Sequence, residues 1–414
     1  MEMIKWIKIA LRNIVKNRRR SLVTLLAIAV GFAAVSLFRG YADSTYWGLR
    51  QMAVRGEGLG HLTIYKKGWR EKGKIEPDKY MFSKNEIQKI IDLVEEDNDV
   101  ILATPQIHIS GLVSNGRTSA IFLANGVIPQ DEKTIRGSWS AFRPVIGNSL
   151  SDEKTYGVEM AQDLAKFLDL KTGSDAVVMA PTLDGQMNAL DIEVAGVYDT
   201  GSEATNDKYI RVPFAFAQSL YDTEKADRIV VLLDDWKKTE RARMQLRTRL
   251  TEAGLPSEIR TWNELSLFYS KVKGMFDMIF TFLFLIVLVI VVMSVVNTMG
   301  IAVLERTREI GTLRALGLKR RGVGLLFAIE GAIIGLLGSI FGIVLNIAAW
   351  ALIKGVEPTY VPPGVSTPVT LAVNLVPSLM IMLMIFLVLL SLIAAILPAR
   401  RAARQNVVDA LGHA

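Results

Sequence analysis

The sequence predicts a polytopic α-helical membrane protein with four transmembrane helices and an α+β extracytoplasmic domain between helices 1 and 2. Three observations predict it. First, four stretches are long and almost free of charge: Ser21–Phe38, Met278–Leu304, Gly322–Ile353 (Glu330 its only charge) and Pro358–Ala399. A helix needs about 20 apolar residues to cross a bilayer, whose core offers polar groups no water. Second, the long interval between the first two stretches has ordinary globular composition. Third, the basic residues cluster beside the apolar ones. Met1–Arg20 has seven basic and one acidic residue, Leu304–Gly322 six and two, and Pro398–Ala414 three and one. Asp43–Gly274 has 30 basic and 34 acidic. Short basic flanks remain in the cytosol. Both termini and Leu304–Gly322 are therefore expected there, in the cytoplasmic (inner) membrane, with the large domain outside.

Residues 1–20 form a basic amphipathic helix, with Ile4, Ile7, Leu11 and Ile14 at helical spacing, Lys5, Lys8, Arg12 and Lys16 on other faces, and Trp6 among them. Residues 21–42 are the first membrane helix. No small-x-small cleavage site follows at Arg39-Gly40-Tyr41, so an uncleaved anchor is expected rather than a signal peptide. Residues 43–274 are the extracytoplasmic domain. Asp43–Gly56 extends the first helix, and Gly56–Gly60 stops it. Ser83 and Glu86 have capping-box spacing ahead of Ile87, Ile90, Ile91 and Val94, which marks a helix over Ser83–Glu96. Further helices are expected at Val158–Leu170 and Trp236–Ala253. Strands are expected at His61–Lys66, Ala103–Val113, Thr118–Asn125, Ala176–Ala180, Leu190–Val197, Tyr209–Val212, Arg228–Leu233 and Glu258–Trp262. From Asn263 one unbroken helix is expected to enter the second crossing, 275–304. Residues 305–322 are a cytoplasmic coupling helix and loop. Residues 323–353 and 376–398 are the third and fourth membrane helices. Between them, residues 354–375 are a Pro- and Gly-rich connector at the outer surface, and 399–414 are a cytoplasmic tail.

Composition excludes several chemistries. The absence of cysteine removes disulfides, thiol catalysis and Cys-based zinc sites. His61, His108 and His413 are far apart and form no HxxxH pair, so each reads as an ordinary strand or surface residue. The acidic pairs Glu95-Glu96, Asp152-Glu153 and Asp234-Asp235 fall at helix ends or turns. Neither Gly-x-Ser-x-Gly nor the phosphate-cradling GxxxxGK[ST] pattern occurs. No catalytic residue, metal or bound cofactor is expected on this chain. The net charge of +7 reflects membrane topology, because the large domain carries no basic stripe with interleaved aromatics and nucleic acid is not an expected partner.

Two features inside the spans stand out. Glu330 lies about two turns into the third helix. It is either a functional group, as an ionisable residue at that depth is by default, or a structural ion-pair partner of Lys319, Arg320 or Arg321. Gly331/Gly335 and Gly338/Gly342 are GxxxG pairs that let helices approach closely, within the chain or between two copies.

Between the second and third spans, NTMGIAVLERTREIGTLRALGLKRRG passes from apolar to charged. Glu305, Arg306, Arg308, Glu309 and Arg314 alternate in sign, while Ile310, Leu313 and Gly317 share one side. A plain topology loop needs neither the glutamates nor the stripe. A short amphipathic helix docking into a groove of a cytosolic partner needs both.

ERTREIGTLRALG resembles the cytoplasmic signature of the MacB/FtsX/LolC-type permeases of the type VII ABC transporter superfamily. ALRNIVKNRRRSLVTLLAIAVG, at 10–31, is similar to that family's N-terminal helix and first membrane segment, and LPARRAARQNVVDALG, at 397–412, to its tail. GVEMAQDLAKFLDLKTGSDAVVM, at 157–179, is similar to its helix–turn–strand element. VAGVYDTGSEATNDKYIRVPFAFAQSLY, at 194–221, is closest to the lipoprotein-releasing branch. The resemblance implies four membrane helices, two permease chains and a dimer of cytoplasmic ABC ATPase subunits. ATP and Mg²⁺ would be held by the ATPases. Their closure would be transmitted to the outer domain through a coupling segment that maps onto Glu305–Gly317, with Gly311 at its centre. Drug-exporting members carry a fused N-terminal ATPase, whereas this sequence starts at its membrane helix, so the ATPase is expected on a separate subunit. The implied function is movement or release of a lipoprotein or other amphipathic substrate from the outer face of the membrane, with a periplasmic carrier or adaptor as a further partner. The alternatives are MacB-like efflux of drugs or peptides, and FtsX-like signalling that activates an envelope enzyme.

Overall fold

The computed structural model describes residues 2–16, 18–73, 75–137, 146–362 and 364–404. The tail beyond Arg404, with His413, lies outside them, as do the side chains of Ile4, Lys5 and Trp6. The chain divides into two compact units. One comprises residues 1–46, 273–358 and 370–414, and the other residues 47–272 and 359–369.

The first unit is a helical bundle. Among the described residues, four helices are long and apolar enough to cross a membrane: Arg18–Gln51, Leu267–Glu305, Arg320–Val356 and Pro377–Arg404. They are preceded by the helix Glu2–Lys16. Ile28, Phe32, Val291, Val295, Phe327 and Leu387 fill the bundle core. The glycines decide which helices meet. A Cβ on Gly331 or Gly335 would press on Ser391 of the fourth helix, at 2.7 Å from its carbonyl and 2.8 Å from its Oγ respectively. One on Gly338 would lie 2.7 Å from Ile28 Cβ, and one on Gly342 2.6 Å from Phe32 Cβ. The two GxxxG pairs therefore face different neighbours, and both pack within the chain.

The unbroken helix expected from Asn263 is interrupted. Thr261 and Glu264 form a capping box that starts a four-residue helix, Trp262–Leu265. Ser266 is then extended, and its hydroxyl accepts from the Tyr269 N–H at 3.4 Å, opening the long helix anew.

Among the described residues, the large sheet of the second unit has ten strands: β1 (Leu62–Lys66), β2 (Val100–Ser114), β3 (Ser119–Val127), β4 (Ile146–Gly147), β5 (Gly157–Ala161), β6 (Asp175–Pro181), β7 (Met187–Tyr198), β8 (Tyr209–Pro213), β9 (Arg228–Leu233) and β10 (Ser257–Thr261). β2 is long enough to serve two cores. Its first half pairs with β9 in an antiparallel sheet ordered β10-β1-β9-β2. Helices Lys84–Glu95 and Thr239–Glu252 cover this sheet, and Ile87, Ile90, Val94, Ala242, Leu246 and Leu250 bury against Ile64, Ile229 and Val231. The Ser83/Glu86 capping box is present. The second half of β2 pairs with β3, β3 with β8, β8 with β5, β5 with β7, β7 with β6, and β6 returns to β2. The ring is a closed six-stranded barrel, which leaves no free edge among these strands. Its closure requires Gly111, where a Cβ would lie 2.0 Å from the Met179 carbonyl oxygen.

Two expectations are corrected here. Val158–Leu170 is not one helix: Gly157–Ala161 is strand β5, buried at every position between β7 and β8, and only Gln162–Phe167 is helical. The charged Glu159 hides the strand from a local reading, because its burial rests on Arg136 and Arg211 from other parts of the chain. The connector 354–375 is also more than a surface loop. Its middle, 359–369, belongs to this unit, where Ser366 donates to Asp199 Oδ1 at 2.5 Å and Val365 bridges Ser202.

Candidate functional site

The expected coupling segment folds as a short helix, Thr307–Ala315, held between two breaks. The first break is Arg306, whose backbone leaves the helix (φ −110°, ψ 15°). Its side chain turns into the bundle, where Nη1 donates to Glu330 Oε1 at 2.9 Å. Both side chains are buried, at 10% and 4% exposure. Asn13 of the N-terminal helix donates to the same oxygen. The Thr307 hydroxyl takes up carbonyls freed by the bend, bonding to Val303 and Leu304 at 3.1 and 3.0 Å. The second break is Gly317. Its φ of +96° places it in the left-handed region that ends helices, and the Leu318 N–H closes the turn onto the Leu313 carbonyl at 3.0 Å.

This geometry revises the sequence reading residue by residue. Glu330 is an ion-pair residue, but its partner is Arg306 rather than Lys319, Arg320 or Arg321. Arg306 is therefore buried in the bundle rather than exposed on the short helix. Ile310 and Gly311 are buried in the bundle, and Ile310 packs within its core. Gly317 shapes the turn. The face left open holds Arg308, Glu309, Leu313 at 41% exposure and Leu316 at 81%, while Arg314 is half-buried. Glu305 is exposed too, and pairs with Arg20 at the start of the first long helix. Leu316 was missed, although its three-residue spacing from Leu313 was a usable signal. Nothing in the sequence points to Asn13, because its partner is 317 residues away.

The second unit contains a separate polar cavity of about 240 Å³ between its sheet and its barrel. Arg211 lies over the Tyr198 ring at 3.7 Å, and a buried network joins Arg136 and Arg211 to Glu132 and Glu159. His108 on β2 lines the cavity with 40% of its side chain exposed, and the surrounding protein and Arg228 push it down against the opposing pull of Asp227, 3.8 Å away. His61 is pushed down to about 4 by burial, and its Nδ1 accepts from the Leu233 N–H at 2.9 Å. Both are therefore neutral near pH 7. Glu57 meets water through the cavity, yet the protein around it pushes its carboxyl up to about 7. The folded domain thus binds a proton at Glu57 that the unfolded chain releases near 4.5. The charged form weakens the fold as pH rises through that window. Glu57→Gln should consequently raise the melting temperature above pH 7, by about 3 °C after discounting for the water that reaches the site, and by nothing below pH 4.5. Thermal unfolding of both proteins across this range checks it.

Comparison with known families matches this architecture. The model of the MacB-like periplasmic core domain covers residues 21–249, and that of the FtsX-like permease C-terminal domain covers residues 281–407. The chain belongs to the MacB/FtsX-like family of ABC transporter permeases. The macrolide export ATP-binding/permease protein MacB of Wolinella succinogenes is 25% identical over 87% of the chain and 55% of its own length. MacB of Salmonella typhimurium is 26% identical over 80% and 50%. The chain thus spans about half the length of these MacB relatives. It spans 88% of the uncharacterized ABC transporter permease YknZ of Bacillus subtilis, at 23% identity over 86% of this chain. Among solved structures, the periplasmic region of MacB from Actinobacillus actinomycetemcomitans aligns with a TM-score of 0.37 at 15% identity, over 50% of this chain and 92% of that one. In this MacB/FtsX-like permease, the helix Thr307–Ala315 lies inside the permease match.

Proposed function

We propose that this permease is driven by an ABC ATPase on a partner chain, which docks on the open face of Thr307–Ala315. The supporting observation is the asymmetry of that helix. Its inner side is fixed to the bundle by Ile310 and by Arg306–Glu330, while Leu313 and Leu316 are left uncovered. A helix clamped on one side and apolar on the other transmits a push; a free loop absorbs it. No P-loop pattern occurs in the sequence, so the energy is supplied from outside it. In this reading two permease chains and two ATPases form the working unit, with the second unit outside the membrane and both termini in the cytosol. Closure of the ATPases moves the helices Arg18–Gln51 and Leu267–Glu305, and these move the outer domain. The work is release or movement of a lipoprotein or another amphipathic substrate from the outer face. Efflux is the second reading, favoured by the likeness to the macrolide export proteins MacB.

The test is co-purification of an ATPase with the full chain and stimulation of its hydrolysis. Gly311→Pro removes a backbone donor in the middle of the coupling helix and breaks it. It should abolish stimulation while the chain still inserts in the membrane. Unchanged stimulation would contradict the proposal.

A further inference from the structure

The bundle also carries a groove that its own core does not fill. It measures about 870 Å³ and lies between the third and fourth long helices, with Ile7 of the N-terminal helix at its edge. One wall is recessed because small residues, Gly324, Ala328 and Ala332, follow each other at single-turn spacing. A Cβ on Gly324 would meet nothing within 4 Å, so the glycine at this position is not there to admit a neighbouring helix of the chain. Val388, Leu392 and Ile396 form the facing wall.

The charge of the groove is confined to one end. Arg320 and Arg321 begin the third helix, Arg400 comes from the fourth, and all three are exposed. None forms an ion pair among the described residues. A topology signal requires only positive charge outside the bilayer. It does not require a guanidinium from a second helix at the same mouth, nor an open apolar trough leading from it. Guanidinium groups match phosphate oxygens in a bidentate fork, and basic pockets between membrane helices hold anionic headgroups. From Arg321 to Leu336 the wall rises about 22 Å at 1.5 Å per residue, more than the about 15 Å hydrocarbon depth of one leaflet.

We propose that this groove is a binding site for one anionic phospholipid of the leaflet beside the N-terminal helix. Its phosphate rests on Arg320, Arg321 and Arg400, and an acyl chain lies along Ala328 and Ala332. The proposal rests on the four helices spanning a membrane and is independent of the ATPase docking. A second copy of the chain fits the groove less well. A two-fold axis along the membrane normal would bring its arginines to the same depth, like charge against like.

The test is lipid mass spectrometry on the full chain, purified from membranes containing phosphatidylglycerol and phosphatidylethanolamine. The wild type should retain phosphatidylglycerol at least tenfold above its bulk ratio. The triple variant Arg320→Gln/Arg321→Gln/Arg400→Gln should lose that enrichment, whereas Lys8→Gln/Arg18→Gln/Arg19→Gln, which removes equal charge from an exposed flank, should keep it. Ala332→Trp fills the trough with the arginines intact and should also lose it, with thermal unfolding showing that each variant is folded. No enrichment in the wild type, equal enrichment in both triple variants, or retention in Ala332→Trp would overturn the site. So would an Ala332→Trp variant that separates permease from permease while keeping its lipid.

Discussion

Arg306→Ala should destabilise the helical bundle by about 3–5 kcal/mol, because it leaves the buried Glu330 carboxyl without its cation. Asn13 remains as a hydrogen-bond donor to Glu330, but an amide does not neutralise a carboxylate. The bend at Arg306 loses its anchor at the same time, so the helix Thr307–Ala315 is freed as well. Reduced melting temperature and lost ATPase stimulation should therefore appear together. The double variant Arg306→Met/Glu330→Leu separates a structural role from an electrostatic one. Apolar side chains of similar volume commonly replace a buried pair without loss. This variant should recover most of the melting temperature and the stimulation. Recovery of stability without stimulation would mean that the charge on Glu330 takes part in transmission.

Gly342→Leu should force the first and third long helices apart. The new Cβ would lie 2.6 Å from Phe32 Cβ and 2.8 Å from Phe32 Cγ. Phe32 Cβ is fixed to its own backbone and cannot rotate away, so the helices must move. Overpacking of this kind costs about 1–3 kcal/mol, and more where the neighbour is rigid. Gly324→Leu provides the contrast on the same helix, because an added Cβ there meets open space. The melting temperature should fall for Gly342→Leu and stay near wild type for Gly324→Leu. Equal effects would show that helix propensity, rather than close approach, governs both glycines.

Features carried by nearest-neighbour chemistry were legible in the sequence. The four spans follow from uncharged runs, the helix at Lys84–Glu95 from its capping box, and eight of the strands from alternation and turn residues. What depends on pairing distant segments was not legible. The barrel closes where β6 meets β2 at Gly111, far apart in the chain, and no local pattern announces it. Glu330 stood out by its depth, but the sequence offered the nearest arginines as partners. The actual one lies 24 residues back, beyond a bend that exists because of the pair. Similarly, helical spacing grouped Ile310 with Leu313. It could not show that the bundle would claim Ile310, leaving Leu313 to be joined by Leu316.

The central claim is that a cytosolic ATPase sits on the open face of Thr307–Ala315. Because the sequence has no cysteine, Leu316→Cys introduces a single thiol at an 81% exposed position. Thiol cross-linking in native membranes, followed by mass spectrometry of the product, reports directly what lies against it. The account predicts an ABC ATPase joined through this thiol, with the product lost when Gly311→Pro is added. An ATPase that co-purifies but joins through another surface, or a product untouched by Gly311→Pro, would contradict it.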